Sequence, residues 1–246
     1  MDHPAPPTRA SGPDELRWLR DLAGAFLVFD GPDGSGKTTQ FRAFVSRAMR
    51  VGLPVCEVRE PGGTAVSERI RELLLDPSLP EMSVRCELMM YMASRAQLVA
   101  ERIAPALANR QLVVADRYVS STLAYQGTAG GITEDEILSV AAAACGRHWP
   151  PTLTVIFDVD QETAAHRLNP LLDRMEQKGA AFHRRVREGY LQQARRWPDR
   201  YVVIDASRDQ QAVTREMLEK VRAWFDRRRE SPAAAPSAQT AGFVKP

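Results

Sequence analysis

The sequence predicts an α/β fold in which a five-stranded parallel sheet is flanked by helices. Short apolar runs alternate with longer segments of helical periodicity, and this alternation is typical of a parallel sheet covered by helices. The runs are almost continuously apolar, as expected of strands that are buried on both faces. The five predicted strands are AFLVFD (25–30), PVCEV (54–58), QLVVAD (111–116), LTVIFDV (153–159) and YVVID (201–205).

The longest predicted helix covers residues 83–109. Its apolar residues recur at steps of three or four and so form one stripe; they are Val84, Leu88, Met92, Ala96, Val99, Ile103 and Leu107. Glu87, Tyr91 and Arg95 recur at steps of four beside this stripe. The helix therefore carries a polar line with an aromatic residue in its middle.

A further helix is predicted to begin after Thr133. The sequence Thr133-Glu134-Asp135-Glu136 fits a capping box, in which the hydroxyl of Thr133 and the carboxylate of Glu136 each bind a backbone amide at the helix start. We expect this helix to reach about Cys145.

The chain has 246 residues, enough for one substantial core. We expect one domain over residues 21–228. It is preceded by an N-terminal extension (1–20) and followed by a tail (229–246), both predicted to be largely disordered. The ends are rich in Pro, Ala and Ser and lack apolar periodicity.

Composition and charge exclude several classes of protein. The chain is 44% hydrophobic and 26% charged, as in ordinary soluble proteins, and it has no apolar run of the ~20 residues that span a bilayer. A net charge of +2 is too small for a nucleic-acid-binding surface. Cys56, Cys86 and Cys145 lack metal-ligand and disulfide spacing. We expect a cytoplasmic protein that binds neither membranes nor nucleic acids.

Residues 31–38 satisfy the complete G-x-x-x-x-G-K-[ST] phosphate-binding motif, the P-loop, between a predicted strand and a helix. The loop amides and the helix N-terminus favour phosphate, so Lys37 would bridge the β and γ phosphates of ATP and Thr38 would ligate Mg²⁺. A glycine-rich turn that binds nothing is the alternative. With the sheet, the motif predicts the three-layer sandwich of P-loop NTPases. The predicted ATP-contacting residues are Gly31, Pro32, Asp33, Gly34, Ser35, Gly36, Lys37, Thr38 and Thr39.

Asp116-Arg117-Tyr118 marks a second anionic site at the end of the third predicted strand. Ligands of open α/β sheets collect at the carboxyl ends of the strands. Asp116 would approach the metal, and Arg117 would donate to a phosphate through its planar guanidinium. A surface arginine paired with its neighbouring aspartate is the alternative.

Taken in order, several segments resemble the thymidylate kinases of the nucleoside-monophosphate kinase group. They are FDGPDGSGKTTQ (29–40), REPGGT (59–64), ELMMYMASRAQLV (87–99), DRYVSSTLAYQG (116–127), PPTLTVIFDV (150–159) and LDRMEQKGAAFHRRVREGY (172–190). The resemblance implies transfer of the γ-phosphoryl group of Mg·ATP to dTMP, giving dTDP and ADP. It also implies a homodimer.

The resemblance assigns roles to residues that would contact dTMP. Tyr91 takes the position of a ring stacked on thymine, Arg95 that of a donor to thymine O4, and Arg117 that of the arginine on the acceptor phosphate. Tyr125 takes the position that crowds out a ribose 2′-hydroxyl. The residues that would line the nucleoside are Ser121, Thr122, Tyr125 and Gln126.

The resemblance also indicates the catalytic residues, which are Lys37, Arg117, Arg174 and Asp33, with Asp33 near the dTMP sugar hydroxyl and the metal. Because the P-loop contains no arginine, the stabilising arginine is expected from a lid over about residues 166–178. This lid is poor in arginine and offers Arg167 and Arg174, separated by Asn169-Pro170. We expect Arg174 to hold ATP phosphates and Arg167 to assist.

Three points stay open at the level of the residues alone. Tyr91 is also consistent with a core aromatic residue, and Arg95 with a helix-surface pair to Glu87 or Glu101. Glu60 is either a partner in metal binding or a loop charge. A kinase of another nucleoside monophosphate and a non-catalytic nucleotide-binding module are the rival functions.

Overall fold

All five strands run parallel, so their carboxyl ends form one edge of the sheet. The computed structural model describes residues 13–167 and 173–230, and within them five strands lie in the order β2-β3-β1-β4-β5. They are β1 (Phe26–Asp30), β2 (Val55–Arg59), β3 (Leu112–Asp116), β4 (Leu153–Asp158) and β5 (Tyr201–Asp205). The predicted α/β fold and its five strands are confirmed.

Helices pack on both faces of this sheet. The α-helices of the described residues are α1 (Lys37–Arg50), α2 (Ala65–Leu75), α3 (Val84–Leu98), α4 (Ala104–Ala108), α5 (Val119–Thr122), α6 (Glu134–Cys145), α7 (Gln161–Arg167), α8 (Ala180–Arg196) and α9 (Gln210–Glu230). Short 3-10 segments cover Pro13–Leu22, Gly146–His148 and Glu176–Lys178. Two π-helical segments cover Val99–Ile103 and Leu123–Thr128.

Alternate residues of β1 face opposite layers. Leu27 and Phe29 belong to the core formed with α1 and α9, whereas Phe26 and Val28 belong to the core formed with α3 and α6. Because β1 is central and covered on both sides, its residues are fully apolar up to Asp30, the last residue of the strand. The carboxyl end of β1 is thereby a fixed point for the loop that follows.

The predicted helix over residues 83–109 is continuous but not uniformly α-helical. The π-helical segment lies between α3 and α4. Pro105, near the start of α4, has no amide hydrogen to bind a carbonyl one turn earlier, and proline is a common cause of such irregularity. The predicted capping box is confirmed, with Thr133 and Glu136 making both reciprocal bonds at the start of α6.

The segment Pro13–Leu22 differs from the expected disorder of residues 1–20. It forms a 3-10 helix in which Leu16, Leu19 and Leu22 are buried. With three residues per turn, leucines at steps of three lie on one face, and here they pack in the core that contains Phe44. Leucines at steps of three also fit the helical spacing used for residues 83–109, so the sequence carried a signal that the expected boundary at residue 21 left out. Residues 1–12 and 231–246 lie outside the described residues.

Among the helices of the described residues, none is long and apolar enough to cross a bilayer.

Candidate active site

The loop between β1 and α1 packs closely against neighbouring elements. The φ angles of Gly31 and Gly34 are 144° and 77°. A Cβ at Gly31 would lie 2.4 Å from the carbonyl oxygen of Phe157, and one at Gly34 would lie 2.4 Å from that of Ala164. Both positions therefore require glycine, which explains two of the motif's small residues.

Lys37 is the first residue of α1, and its side chain is buried beside Asp33. Lys37 Nζ lies 3.8 Å from Asp33 Oδ1. Burial lowers the pKa of Lys37, to which the charge of Arg117 adds. Burial would raise the pKa of Asp33, but the charges of Arg117 and Lys37 outweigh it and hold that pKa at about 2. The Asp33 carboxylate thus stands between two cations, Lys37 and Arg117.

Thr38 and Asp116 meet at the mouth of the P-loop. The hydroxyl of Thr38 donates to Asp116 Oδ2 over 3.1 Å. A hydroxyl and a carboxylate are hard oxygen donors of the kind that Mg²⁺ prefers, and Mg²⁺ commonly takes its other ligands from phosphates and water. This donor set fits Mg²⁺. The described residues contain no cluster of three or more His, Cys, Asp or Glu side chains arranged to hold a metal.

Arg117 connects the P-loop to the helices beyond β3. Its φ of 73° lies in the left-handed region, which residues other than glycine rarely adopt and which is frequent at functional sites. Nη1 donates to the hydroxyls of Ser121 and Tyr190, each at 3.1 Å. Nη2 contacts Asp33. The guanidinium is therefore held in one orientation, 16% exposed, beside the P-loop.

Asp30 holds this arrangement from the end of β1. Its buried carboxylate accepts hydrogen bonds from the hydroxyls of Ser120, Ser121 and Tyr190 at 2.6, 2.7 and 2.6 Å. Arg117 Nη1 lies 3.4 Å from it. Asp30 is not among the residues predicted from the sequence. A charged residue at the end of an apolar strand, directly before the P-loop, was the available signal.

A cavity of about 410 Å³ opens between these groups and α3. At the P-loop end its lining includes Asp33, Lys37, Thr38, Asp116 and Arg117. The lining also includes Tyr91, Ser121, Thr122, Tyr125 and Gln126. The tertiary structure thus brings most of the predicted catalytic, metal-binding and substrate residues to one cavity.

Tyr125 connects the cavity wall to the P-loop, and Gln126 connects it to α3. The hydroxyl of Tyr125 donates to Asp33 Oδ2 at 2.6 Å and accepts from Arg117 Nη2 at 3.4 Å. Gln126 Nε2 donates to Glu87 Oε2 at 3.0 Å. Tyr91 is half-buried in the same wall. An aromatic ring and an amide suit a flat heterocycle with polar edges.

A second cavity of about 280 Å³ lies on the other side of the P-loop, where its lining includes Ser35, Gly36, Thr39 and Arg167. Arg167 donates through Nη1 to the carbonyl of Ala206 at 2.8 Å. The carbonyl of Pro32 accepts from the amide of Ser35 at 3.3 Å. Ser35 Oγ is buried without a hydrogen-bond partner among the described residues, so it offers an unsatisfied polar group next to the phosphate loop.

Comparison with known proteins identifies the family of this site. The family model described as thymidylate kinase matches residues 29–217. The thymidylate kinase of Pelotomaculum thermopropionicum is 43% identical over 200 residues, which are 80% of this chain and 92% of the relative. That of Pseudomonas putida is 41% identical over 198 residues, 80% of this chain and 94% of the relative. The chain belongs to the thymidylate kinase family.

The fold comparison agrees with this assignment. The crystal structure of thymidylate kinase from Ehrlichia chaffeensis matches with a TM-score of 0.65 at 30% identity, over 81% of this chain and 98% of that one. Members of the thymidylate kinase family are transferases, and the five-stranded sheet described above is their P-loop NTPase fold.

Arg95, expected at thymine O4, does not lie in the cavity lining. Its guanidinium is 1% exposed and donates to both carboxylate oxygens of Glu60, with the shortest contact at 2.5 Å. Nη1 also donates to Thr122 Oγ1 at 3.1 Å. Burial raises the pKa of Glu60 to about 6, against the opposing charge of Arg95. The partner of Arg95 is therefore Glu60, rather than Glu87 or Glu101.

Arg174 is not brought to the P-loop. Its buried guanidinium donates to Glu87 Oε1 at 2.7 Å and, through Nε, to the carbonyl of Leu74 at 2.8 Å. Arg167 is instead the lid arginine beside the P-loop. The reason is that Glu87 is a buried carboxylate on α3, and it attracts the nearest cations of the lid. Lid residues 168–172, with Asn169-Pro170, lie outside the described residues.

Two cations and two acidic residues in the cavity lining, Asp173 and Glu176 among them, were not predicted from the sequence. Arg59 and Arg71 line the cavity, and Arg71 Nη1 donates to the carbonyl of Pro61 at 2.9 Å. Glu176 lines it from the segment after Arg174. Arg59 belongs to the REPGGT segment, and this segment's resemblance to the family could have indicated a site residue. Arg71 had none, because its place on α2 resembles that of any helix-surface arginine.

Proposed function

We propose that this chain transfers the γ-phosphoryl group of Mg·ATP to the phosphate of dTMP, giving dTDP and ADP. The observation that supports this most is the single cavity that runs from Lys37 and Thr38, past Arg117, to Tyr91 and Gln126. Membership of the thymidylate kinase family does not favour the rivals, a kinase for another nucleoside monophosphate and a non-catalytic nucleotide-binding module.

ATP is proposed to bind on the P-loop with its phosphates directed at the cavity. Lys37 would take the β and γ phosphates, and loop residues 31–36 the phosphate chain. Mg²⁺, held by Thr38 and Asp116, would supply charge neutralisation across the phosphates when bound. The unpartnered hydroxyl of Ser35 and the neighbouring Arg167 and Thr39 support a place for the rest of ATP in the second cavity.

The dTMP phosphate is proposed to bind Arg117, and its base to reach Tyr91, Thr122 and Gln126. Phosphoryl transfer depends on positioning and charge neutralisation rather than on a strong general base. Asp33 contacts both Lys37 and Arg117, so it sets the separation between the cations of the donor and acceptor phosphates. Donation by Arg95 to thymine O4 and catalysis by Arg174 stay predictions.

Incubation of the purified protein with Mg·ATP and a panel of nucleoside monophosphates tests this function. We expect ADP release that depends on dTMP, with dTDP as the second product. Lys37→Met, assayed in parallel, controls for contaminating kinases and should abolish the activity. Absence of dTMP-dependent ADP release from the wild type would overturn the proposal.

A homodimer in the cytoplasm is part of the same proposal. Val66 and Leu73 on α2 and Met89 on α3 are more than half exposed although apolar, which supports a partner surface there. The free cysteines Cys56, Cys86 and Cys145 support a reducing compartment. Light scattering coupled to gel filtration measures the mass, and a monomer at micromolar concentration would contradict the dimer.

A further inference from the structure

Glu87 is a fully buried carboxylate behind the wall of the main cavity. It lies on α3, one turn before Tyr91, and has no exposed surface. Glu87 Oε1 accepts from Arg174 Nη1 at 2.7 Å and from Lys178 Nζ at 2.5 Å. Oε2 accepts from Gln126 Nε2 at 3.0 Å. Glu87 itself is not part of the cavity lining, whereas Gln126 is.

The chemistry of Glu87 dictates which way the Gln126 amide faces. An ionised carboxylate accepts hydrogen bonds and cannot donate them. Gln126 must therefore turn its NH₂ group to Glu87, and its carbonyl oxygen takes the opposite side. Among the described residues, none donates to Gln126 Oε1. Gln126 thus has one unused polar atom, and that atom is an acceptor.

The two lid cations keep Glu87 ionised and so keep this orientation. Burial would raise the pKa of Glu87, but the hydrogen bonds from Lys178, Gln126 and Arg174 outweigh it and lower that pKa. Two positive charges on one carboxylate also mean that loss of either one leaves the other in place. Either cation alone still faces Glu87 if the other is lost, so Gln126 keeps its orientation.

An acceptor in this wall distinguishes between pyrimidines. The N3 atom of thymine or uracil carries a hydrogen and donates, whereas N3 of cytosine accepts. We propose that Glu87 is a positioning residue for base selection: by fixing the amide of Gln126 it presents Oε1 to the N3–H of a keto pyrimidine and disfavours cytosine. This inference rests on the proposed function, since it assumes that the base reaches Gln126.

Two substitutions at Glu87 test the idea, with a matched control at Lys178. In Glu87→Gln the new amide both donates and accepts, so Gln126 is free to turn. In Glu87→Asp the charge stays but the carboxylate retracts by one methylene from Gln126. Lys178→Met removes one cation from Glu87 without touching the bond to Gln126. Melting temperatures report the stability cost of each change.

The measurement is the ratio of kcat/KM for dTMP to that for 5-methyl-dCMP, which keeps the 5-methyl group and differs in its cytosine-type edge. We expect the ratio to fall by about tenfold or more in both Glu87 variants, the size of one hydrogen bond. Lys178→Met should keep the wild-type ratio even if its melting temperature falls. The two substrates also differ in the substituent at position 4 of the base. Selection between those substituents is the same in all variants, so it cancels when the ratios are compared.

An unchanged ratio in a folded Glu87 variant, or an equal fall in Lys178→Met, would overturn the positioning role. A wild type without dTMP-dependent activity would instead overturn the proposed function. A crystal structure of the wild type with dTMP needs no variant, so it tests the orientation of Gln126 that the proposal requires even where the variants fail to fold. Gln126 Oε1 within hydrogen-bond distance of N3 is the expected result, and the reversed amide is the contrary one.

Discussion

The hydroxyl of Thr38 donates to the carboxylate of Asp116 over 3.1 Å, although 78 residues separate them in the chain. The contact arises because β1 pairs with β3, with Phe29 opposite Asp116. Thr38, in the first turn of α1, and Asp116, the last residue of β3, are thereby placed at one point of the sheet edge. Their two oxygens are the basis for the proposed Mg²⁺ site.

Thr38→Val removes the hydroxyl but keeps the branched shape. If the hydroxyl ligates Mg²⁺, the Mg²⁺ concentration for half-maximal activity should rise by about tenfold or more, while KM for dTMP changes little. A magnesium titration at saturating dTMP measures it. A variant with the wild-type Mg²⁺ dependence would remove Thr38 from the metal site.

Tyr125→Ala should admit a ribose in place of deoxyribose. The ratio of kcat/KM for dTMP to that for ribothymidine monophosphate is expected to fall about tenfold or more, because the ring no longer fills the space of the 2′-hydroxyl. Tyr125→Phe is the matched control: it loses the 2.6 Å bond to Asp33 but keeps the ring. Should the Phe variant lose as much selectivity as the Ala variant, the hydrogen bond and not the ring would be responsible.

Arg174→Ala tests the predicted lid arginine. In this structure Arg174 pairs with Glu87; if it stabilises the transition state as the family resemblance implies, kcat falls about 100-fold or more while dTMP still binds. Since Arg174 also contacts Glu87, part of the effect is structural. Lys178→Met, which removes the other cation on Glu87, controls for that part. Equal kcat values in Arg174→Ala and Lys178→Met would remove Arg174 from the chemistry.

Asp33 should make stability depend on pH at the acid end. Its pKa is held at about 2, below the ordinary 3.8, by the charges of Arg117 and Lys37 against the effect of burial. A depressed pKa stabilises the folded state above pH 3.8, by about 2 kcal/mol, and this is lost as pH falls from about 4 toward 2. Urea unfolding of the wild type and of Asp33→Asn across that pH range measures this loss. A difference in unfolding free energy between the two proteins that stays constant with pH would contradict the prediction.

Leu19→Ala should weaken the whole fold, although Leu19 precedes the first strand. Leu19 is fully buried in the core shared with α1, and loss of a buried leucine costs about 2–5 kcal/mol of unfolding free energy. Glu15→Ala, at an exposed position of the same segment, is the control. A Leu19→Ala protein as stable as that control would mean that the segment contributes nothing to the core.

The elements that could be predicted are those whose signal is local. The strands are apolar runs, the start of α6 is a capping box, and the P-loop is a contiguous motif between a strand and a helix. Each of these signals lies within a few consecutive residues, so it can be recognised without knowing how distant segments pack. The buried helix at Pro13–Leu22 also has a local signal, leucines at steps of three, but the segment is short and adjoins a Pro- and Ala-rich end, so it was assigned to the N-terminal extension.

The sequence by itself determined the fold class, the phosphate loop and the family of this protein. Only the tertiary structure decided which partner each buried charge takes. Arg95 binds Glu60, 35 residues away, and Arg174 binds Glu87, 87 residues away. A buried charge pairs with the opposite charge that packing brings within reach, and that packing depends on how distant helices and loops meet, which no local pattern records.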